Sequence, residues 1–348
     1  MNPEFLKWKS WHPRLLPSVP HRRVTERTVK MDFPMELRTA LENEAAGVNR
    51  ALLEANARAL SERYRSESGT GKRLLTLESE AAAYAAVRMP ATFGAVGAAL
   101  AEALASHPIR PKTLLDVGAG TGAASWAAAA LLDLEQVTCL EREKAMRQLG
   151  QKLMSEGDEP LRKARWFSCD ITEGIPYKAE LVIASYVLNE LSGEDRIKAL
   201  EFLWAAAEGL LLLVEPGTPE GYRQLRIARE RLLHAGARIA APCPHEENCP
   251  IGADDWCHFT CRIQRSRLHK QLKGGDVPYE DEKFAYLALS KKDCAPAPCR
   301  ILRHPKIESG KITLTLCGKD GITTRLYTKK SPLFKQARKA DCGDSFPE

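Results

Sequence analysis

Two groups of residues in this chain have the types and spacing to do chemistry. The first is Asp116-Val117-Gly118-Ala119-Gly120-Thr121-Gly122, which closes the apolar run Thr113-Leu114-Leu115 and opens an alanine-rich stretch at Ala123. An apolar run ending in Asp, three glycines at every second position and then helix-forming residues read as strand, tight turn, helix. Gly118, Gly120 and Gly122 permit backbone angles that a Cβ would forbid, and they let a ligand approach the main chain. The helix start behind them offers free N–H groups and the positive end of a dipole, which suits a nucleotide-type cofactor. The second group is Cys243, Cys249 and Cys257, interleaved with Pro, Gly and acidic residues that cannot pack as a core. Three soft thiolates on a loop are a ligand set for zinc or an iron–sulfur cluster.

The elements that must position the glycine turn can be read in order. Val137 to Glu141 reads as a second strand, with Glu141 near the roughly 20-residue offset at which a carboxylate meets ribose hydroxyls. Arg165 to Asp170 reads as a third strand, Leu181 to Ser185 as a fourth and Leu210 to Val214 as a fifth, with helical stretches such as Gly193 to Glu208 between them. This alternation predicts an α/β fold with a parallel sheet covered on both faces, and ligands in such sheets bind beyond the carboxyl ends of the strands. Asp116, Glu141, Asp170 and Ser185 all fall at those ends. The glycine step departs from the Gly-x-Gly-x-x-Gly of dinucleotide sites and resembles the S-adenosylmethionine loop of class I methyltransferases. Asp116, Gly118, Gly120, Gly122, Glu141 and Asp170 are therefore the candidate cofactor-binding residues.

Four segments are predicted. Residues 1–33 read as a basic flexible tail, with seven Lys or Arg and little periodicity in the first 30. Residues 34–106 read as a helical domain, in which Pro90 is expected to break a long helix after Arg88-Met89 and Thr92 to cap the next. Residues 107–240 form the S-adenosylmethionine-binding Rossmann-like core. Residues 241–348 hold the cysteine cluster, a basic helix from about Arg262 to Lys273 and C-terminal strands. There, Ile312 to Cys317 and Ile322 to Tyr327 alternate about Gly318-Lys319-Asp320-Gly321, a hairpin signal.

Composition bounds the partners. The chain has 348 residues, 44% hydrophobic and 28% charged, enough for one large or two ordinary domains with a sizeable core. No apolar run is expected to reach the roughly 18 residues that span a bilayer, so no membrane partner is expected. Net charge is +6, and the basic residues concentrate late, in Arg262 to Lys273 and again from Arg300 to Lys339. That concentration points to an anionic partner. Ten cysteines with no secretory leader read as a reducing compartment and metal binding rather than disulfides. The spacing leaves the fourth ligand open among Cys261, Cys294, Cys299, Cys317, His245 and His258.

Ala83 to Thr92, the Asp116 to Gly122 loop, Ser185 to Leu191 and the Cys243 to Phe259 segment together resemble the small-ribosomal-subunit Rsm-type methyltransferase-like family, over roughly residues 35 to 345. That family occurs in bacteria and, as a small-subunit assembly factor, in mitochondria. The resemblance implies S-adenosylmethionine and a four-cysteine [4Fe-4S] cluster, with zinc the alternative. It implies Cys243, Cys249 and Cys257 as ligands and favours Cys317 as the fourth. It further implies the small ribosomal subunit and its rRNA as partners of a monomer, in the bacterial cytoplasm or, in a eukaryote, the mitochondrial matrix.

Catalytic residues are less legible. Class I enzymes that methylate an exocyclic base nitrogen usually carry an Asn-Pro-Pro-Tyr-like motif after the fourth strand, and here that place reads Ser185-Tyr186-Val187-Leu188. No cysteine nucleophile stands near the ends of the fourth and fifth strands. Tyr186 could stack on a base and Asn189 or Glu190 hydrogen-bond one, or all three could be packing and helix-start residues. Methyl transfer from an activated sulfonium can proceed largely by positioning. The sequence thus supports an S-adenosylmethionine-dependent methyltransferase-like protein acting on small-subunit rRNA, with a non-catalytic assembly factor as the alternative and a small-molecule methyltransferase as a less apt third.

Overall fold

Five short apolar runs build the centre of the structure, a computed structural model that describes residues 31–66, 75, 77–107, 110–274 and 277–347. They are Thr113–Val117 (β1), Gln136–Leu140 (β2), Arg165–Phe167 (β3), Ala179–Ser185 (β4) and Ala207–Pro216 (β5), all paired in parallel. Three further strands complete the sheet: Arg238–Ala241 (β6), Phe259–Gln264 (β7) and Tyr279–Ser290 (β8). β8 runs antiparallel between β5 and β6 and continues past them to pair with β7, giving the order β3-β2-β1-β4-β5-β8-β6. A parallel sheet with one antiparallel strand slotted between its fifth and sixth members is the class I methyltransferase, Rossmann-like arrangement. Its strand order reverses between β1 and β4, which opens a crevice at their carboxyl ends. The third strand stops at Phe167, shorter than its apolar pattern suggested, so Cys169 and Asp170 lie on the loop beyond it.

Both faces of the sheet are covered, and side-chain alternation along each strand decides which residue serves which face. Leu114, Leu181, Ile183 and Leu212 join one core, and Leu115, Val182, Ala184 and Leu211 join the other. The first face receives Met35–Ala46 (α1), Arg50–Ser66 (α2), Glu78–Ser106 (α3), Ala123–Ala129 (α4), Lys144–Met154 (α5) and the short Glu159–Arg162 (α6). The second receives Gly193–Ala206 (α7) and Pro219–His234 (α8). Local chemistry starts these last two where expected. Ser192 Oγ accepts from Asp195 N–H at 3.3 Å, and Thr218 Oγ1 accepts from Gly221 N–H at 3.1 Å with Pro219 in the first turn.

α3 corrects two expectations. It runs unbroken through Pro90, and Thr92 is buried within it rather than capping a new helix. A mid-helix proline costs about 3 kcal/mol, but Met89, Pro90, Ala91, Thr92 and Phe93 are all buried, and packing of that extent outweighs the lost hydrogen bond. α3 is also long and apolar enough to cross a membrane by length and composition, contrary to the reading of the apolar runs. In this structure it is a core helix, with 67% of its most apolar window buried.

The basic helix begins later than its composition suggested. Phe259–Gln264 is strand, paired along β8, and Arg267–Lys273 (α9) starts only after Ser266, whose Oγ accepts from His269 N–H at 3.1 Å. Cys261 is therefore a strand residue, directly opposite Glu282. The C-terminal strands form a second sheet of Cys299–Ile301 (β9), Lys306–Glu308 (β10), Lys311–Gly318 (β11), Gly321–Thr328 (β12) and Ser345–Phe346 (β13). β11 and β12 are the hairpin the alternation indicated, with Gly318 opposite Gly321. β10 and β9 share the other edge of β11, and Phe334–Ala337 (α10) packs against the sheet core. Of the tail predicted over residues 1–33, residues 1–30 lie outside the described residues, while Met31 and Phe33 pack against the core, the Phe33 ring 5.3 Å from that of Phe93.

Arg300 on β9 ties this second sheet to the first. It is 2% exposed, donates to the carbonyls of Pro242 at 3.0 Å and Gly343 at 2.9 Å, and pairs with Glu102 of α3. Removing one member of a buried ionic network leaves the others unpaired in low dielectric. We expect Arg300→Met to lower the free energy of urea unfolding by about 3 kcal/mol. A loss below about 1 kcal/mol would show that the apolar contacts hold the sheets together without it.

Candidate functional site

The glycine turn stands at the carboxyl end of β1, against the crevice. Gly118, Gly120 and Gly122 have φ of +66°, +56° and +85°, all in the left-handed region that side chains disfavour. Ala119 N–H donates to Leu140 O at 3.0 Å and Gly122 N–H to Ala119 O at 2.8 Å, which fixes the turn to β2 and closes it on itself. A Cβ on Gly120 would meet only Met146 Cε, at 3.5 Å, so its backbone stands clear. α3 braces the turn from above, where Thr121 Oγ1 donates to Met89 Sδ at 3.5 Å.

The acidic residues at the strand ends serve different ends. Glu141 accepts from Gly120 N–H at 2.8 Å through one oxygen and from Glu143 N–H at 2.7 Å through the other. Burial raises its carboxyl above the usual range, and these two donors partly offset the rise. Asp116 is fully buried behind the loop, where Oδ2 accepts from Ser125 Oγ at 2.7 Å and Ser125 N–H at 3.1 Å. Its other oxygen has no partner among the described residues, and burial pushes the carboxyl up to about 7. Asp116 thus faces the start of α4 rather than open crevice. Asp170 is half-buried and accepts from Thr172 Oγ1 at 2.7 Å and N–H at 3.0 Å, with Arg142 Nη1 at 3.3 Å. Burial works to raise it, but these partners prevail and hold it below the usual carboxylate range.

Opposite the turn, the segment after β4 carries a cluster that sequence reasoning missed. Tyr186 has φ of +61° and donates through Oη to Glu282 Oε1 at 3.1 Å. Arg88 of α3 donates to both oxygens of Glu282, at 3.0 and 3.4 Å. Asn189 and Glu190 lie in a 3-10 turn, Leu188–Glu190, whose first N–H donates to Glu215 Oε1 at 3.0 Å. Glu215 is fully buried, its second oxygen without a partner among the described residues, and burial pushes it up to about 8. The available signal for Arg88 was a lone arginine in a long apolar helix, since such a residue is almost never buried without a partner.

Cys243, Cys249, Cys257 and Cys317 line one cavity, together with Tyr222 and Arg300. None of the ten cysteines is joined to another in a disulfide. Tyr222 Oη lies 3.2 Å from Cys249 Sγ, and His245 Nε2 lies 4.0 Å from Cys317 Sγ. Arg229 donates to the carbonyls of His245 at 3.0 Å and Glu247 at 2.6 Å, pinning the loop between the first two cysteines. Burial raises the thiols of Cys243, Cys257 and Cys317, the last to about 12. Among the described residues, no three His, Cys, Asp or Glu side chains close around a single point as one metal ion would require. The other cysteine alternatives diverge: Cys299 is buried in the core of the second sheet, Cys261 lies against α3, and Cys294 donates to Lys292 O at 3.6 Å. His258 faces Trp256, with ring centroids 5.3 Å apart.

The family described as mitochondrial small ribosomal subunit Rsm22 matches residues 78–347. The human mitochondrial ribosome assembly protein METTL17 is 29% identical over 292 residues, 76% of this chain and 62% of the relative. Rsm22-cox11 tandem protein 2 of Schizosaccharomyces pombe is 27% identical over 222 residues, 48% of this chain and 29% of the relative. The chain therefore spans less than two thirds of these relatives. Among solved structures, magnesium protoporphyrin IX methyltransferase of Synechocystis with bound SAH shares 15% identity at a TM-score of 0.40, covering 67% of this chain and 94% of that one. A ribosomal protein L11 methylase of Lactobacillus delbrueckii shares 14% identity at a TM-score of 0.34, covering 56% and 77%.

The state of Asp116 has a measurable consequence. Its folded value of about 7 lies above its ordinary 3.8, so its contribution to stability is complete below 3.8 and is lost as pH rises through about 7. Asp116→Asn keeps an oxygen for Ser125 and carries no charge. We expect the fall in melting temperature between about pH 5 and about pH 8 to be smaller in the variant than in the wild type. An identical fall in both would assign the effect to another group.

Proposed function

Because the chain belongs to the Rsm22 family, we propose that it is a methyltransferase-like ribosome assembly protein that binds S-adenosylmethionine and acts on small-subunit rRNA. The observation that carries the cofactor reading is Glu141, locked by the Gly120 and Glu143 N–H groups at the carboxyl end of β2. Each of its oxygens keeps a lone pair for a ribose hydroxyl. Gly120 leaves its backbone clear for close approach, and Asp170, on the loop beyond β3, is the residue assigned to the far end of a nucleoside. Gly118 and Gly122 shape the turn, and Asp116 supports it from behind by holding Ser125. The residues present fit the cofactor, which would supply an activated methyl group.

The partner reading rests on charge. Lys306, Lys311, Lys319, Lys329, Lys330 and Lys339 are exposed on and around the second sheet, and none is in an ion pair with a described residue. Unpaired lysines in this number suit a phosphate backbone. The name of the human relative agrees with a role in ribosome assembly. By the same reasoning the compartment is the mitochondrial matrix if the source is eukaryotic and the cytoplasm if it is bacterial.

The cysteine cavity supports a [4Fe-4S] cluster, with Cys243, Cys249, Cys257 and Cys317 as its ligands. A cube of four irons takes one thiolate at each, so its ligands stand further apart than the four around one zinc. The four cysteines line one shared cavity, as a ligand held by all of them would require. Buried Arg300 and Arg229 offset the negative charge that four thiolates would bring.

A second reading, a non-catalytic assembly factor, is favoured by the Tyr186–Glu282–Arg88 cluster, in which the carboxylate and the phenol are bonded to one another and to Arg88 rather than turned to a substrate. Transfer of labelled methyl from S-adenosylmethionine to immature small subunits separates the two. Incorporation at one nucleotide, lost in Gly120→Val, is the result expected of an enzyme; a β-branched residue at φ +56° is strained even where space is open. Measured cofactor and subunit binding without incorporation would instead support the assembly factor. We also expect Cys249→Ser to lose iron and to lower the melting temperature of the cysteine-bearing region. Full metal content with an unchanged melting curve would remove the cluster assignment.

A further inference from the structure

A crevice at a strand-order reversal has two walls, one from each of the two strands that flank it. Here the glycine turn after β1 forms one wall, and the residue that follows β4 on the other side is Tyr186. A bulky residue in the left-handed region is strained, and such strain persists only where the surroundings over-determine it. Two bonds do so: Tyr186 N–H donates to Val214 O at 2.7 Å, and Tyr186 Oη donates to Glu282 at 3.1 Å. Glu282 is 9% exposed and is gripped in turn by Arg88, whose guanidinium lies 5.7 Å from the centroid of the Tyr186 ring. The reversal at Tyr186 sends its ring beneath α3 and sets Val187 directly on the turn, where a Cβ on Gly118 would collide with it.

We infer that Tyr186, Glu282 and Arg88 form a latch that closes the acceptor side of the crevice, so that an acceptor reaches a bound cofactor only when α3 or Tyr186 yields. The inference rests on the cofactor reading proposed above and adds a gate to it. Three separate elements meet at one carboxylate: the end of β4, β8 and the middle of α3. Both oxygens of Glu282 and the hydroxyl of Tyr186 are spent on one another or on Arg88, so neither the carboxylate nor the phenol is open to an acceptor. The closure is not sealed from solvent. The Arg88 side chain is 33% exposed, and an arriving phosphate would compete with Glu282 for its guanidinium. Cys261 reports on the same place without the cofactor. It sits opposite Glu282 and is half-buried, and a Cβ on Gly94 of α3 would lie 3.3 Å from its sulfur, so α3 shields one side of the thiol and its alkylation speeds when α3 lifts.

The test compares the full chain with Tyr186→Gly, which removes the ring and relieves the positive φ, and Tyr186→Phe, which keeps the ring and loses the hydroxyl. Two rates are read: release of radiolabelled S-adenosylmethionine into an unlabelled chase, and alkylation of Cys261 by iodoacetamide followed by peptide mass spectrometry. We expect Tyr186→Gly to speed both by about tenfold and Tyr186→Phe by about threefold, with circular dichroism unchanged. Equal rates in the wild type and both variants would overturn the latch. If the wild type binds no S-adenosylmethionine, the cofactor reading fails by itself, and the Cys261 rates alone decide the latch. Should Tyr186→Gly not fold, Tyr186→Phe and Glu282→Gln make the same comparison, with the same expected and overturning results.

Discussion

A helix enclosed on nearly every side must shed bulk wherever its neighbours approach, and α3 is built under that constraint. Alanines and glycines dominate its 29 residues, and its neighbours come close enough that Gly94 meets β7 and Gly97 meets Met31. Close packing of this kind transmits position, because interiors are as dense as organic crystals and give little. The few larger or polar residues on α3 therefore act as fixed points. Arg88 reaches the segment after β4, Met89 braces the glycine turn, and Glu102 meets Arg300 of the second sheet. Three regions with different chemistry take their relative placement from one rod.

Buried charge is handled in two ways, and the difference follows from the number of partners. Arg300 has a partner for each of its contacts, two carbonyls and a carboxylate, and burial leaves it charged. Asp116 and Glu215 each satisfy one oxygen and leave the other unpaired, so burial drives both toward the protonated form near neutral pH. Two of the acids at the strand ends are thus structural supports of the crevice. Glu141 and Asp170 instead have donors aimed at them, Glu141 at both of its oxygens.

The cysteine cavity stands where the two sheets meet. Cys243 follows β6, Cys249 and Cys257 lie on the loop before β7, and Cys317 ends β11 of the second sheet. Arg229 pins that loop through two carbonyls, and Trp256 donates to Gly217 O at 3.0 Å, so the loop is held before anything is bound. A ligand shared by these four residues would bind a loop of the first sheet to a strand of the second. The exposed lysines project from that second sheet, which makes its attachment relevant to anything it contacts.

Much of this was legible in the residues. The alternation of strands and helices, the glycine step, the acids at strand ends and the β11–β12 hairpin are local patterns, each set by the periodicity of side chains or by backbone freedom at single residues. The family resemblance added Cys317, which spacing could not choose. What tertiary structure alone decided depends on residues far apart in the chain. Pro90 stays helical because burial on all sides outweighs its missing bond, which no local rule foresees. The strand at Phe259–Gln264 is imposed by pairing with β8 on a stretch whose charges suggested helix. Asp116, in the place of a ligand-binding acid, turns inward because Ser125 offers donors behind the turn. Arg88, Tyr186 and Glu282 are separated by 96 and 194 residues, and only the packing of α3 over β8 brings them to one point. Local patterns determine most of the elements, with Pro90 and Phe259–Gln264 the places where burial or pairing outweighs them; which side chains meet is settled by how the elements pack, because a contact needs both partners in place and the sequence displays them one at a time.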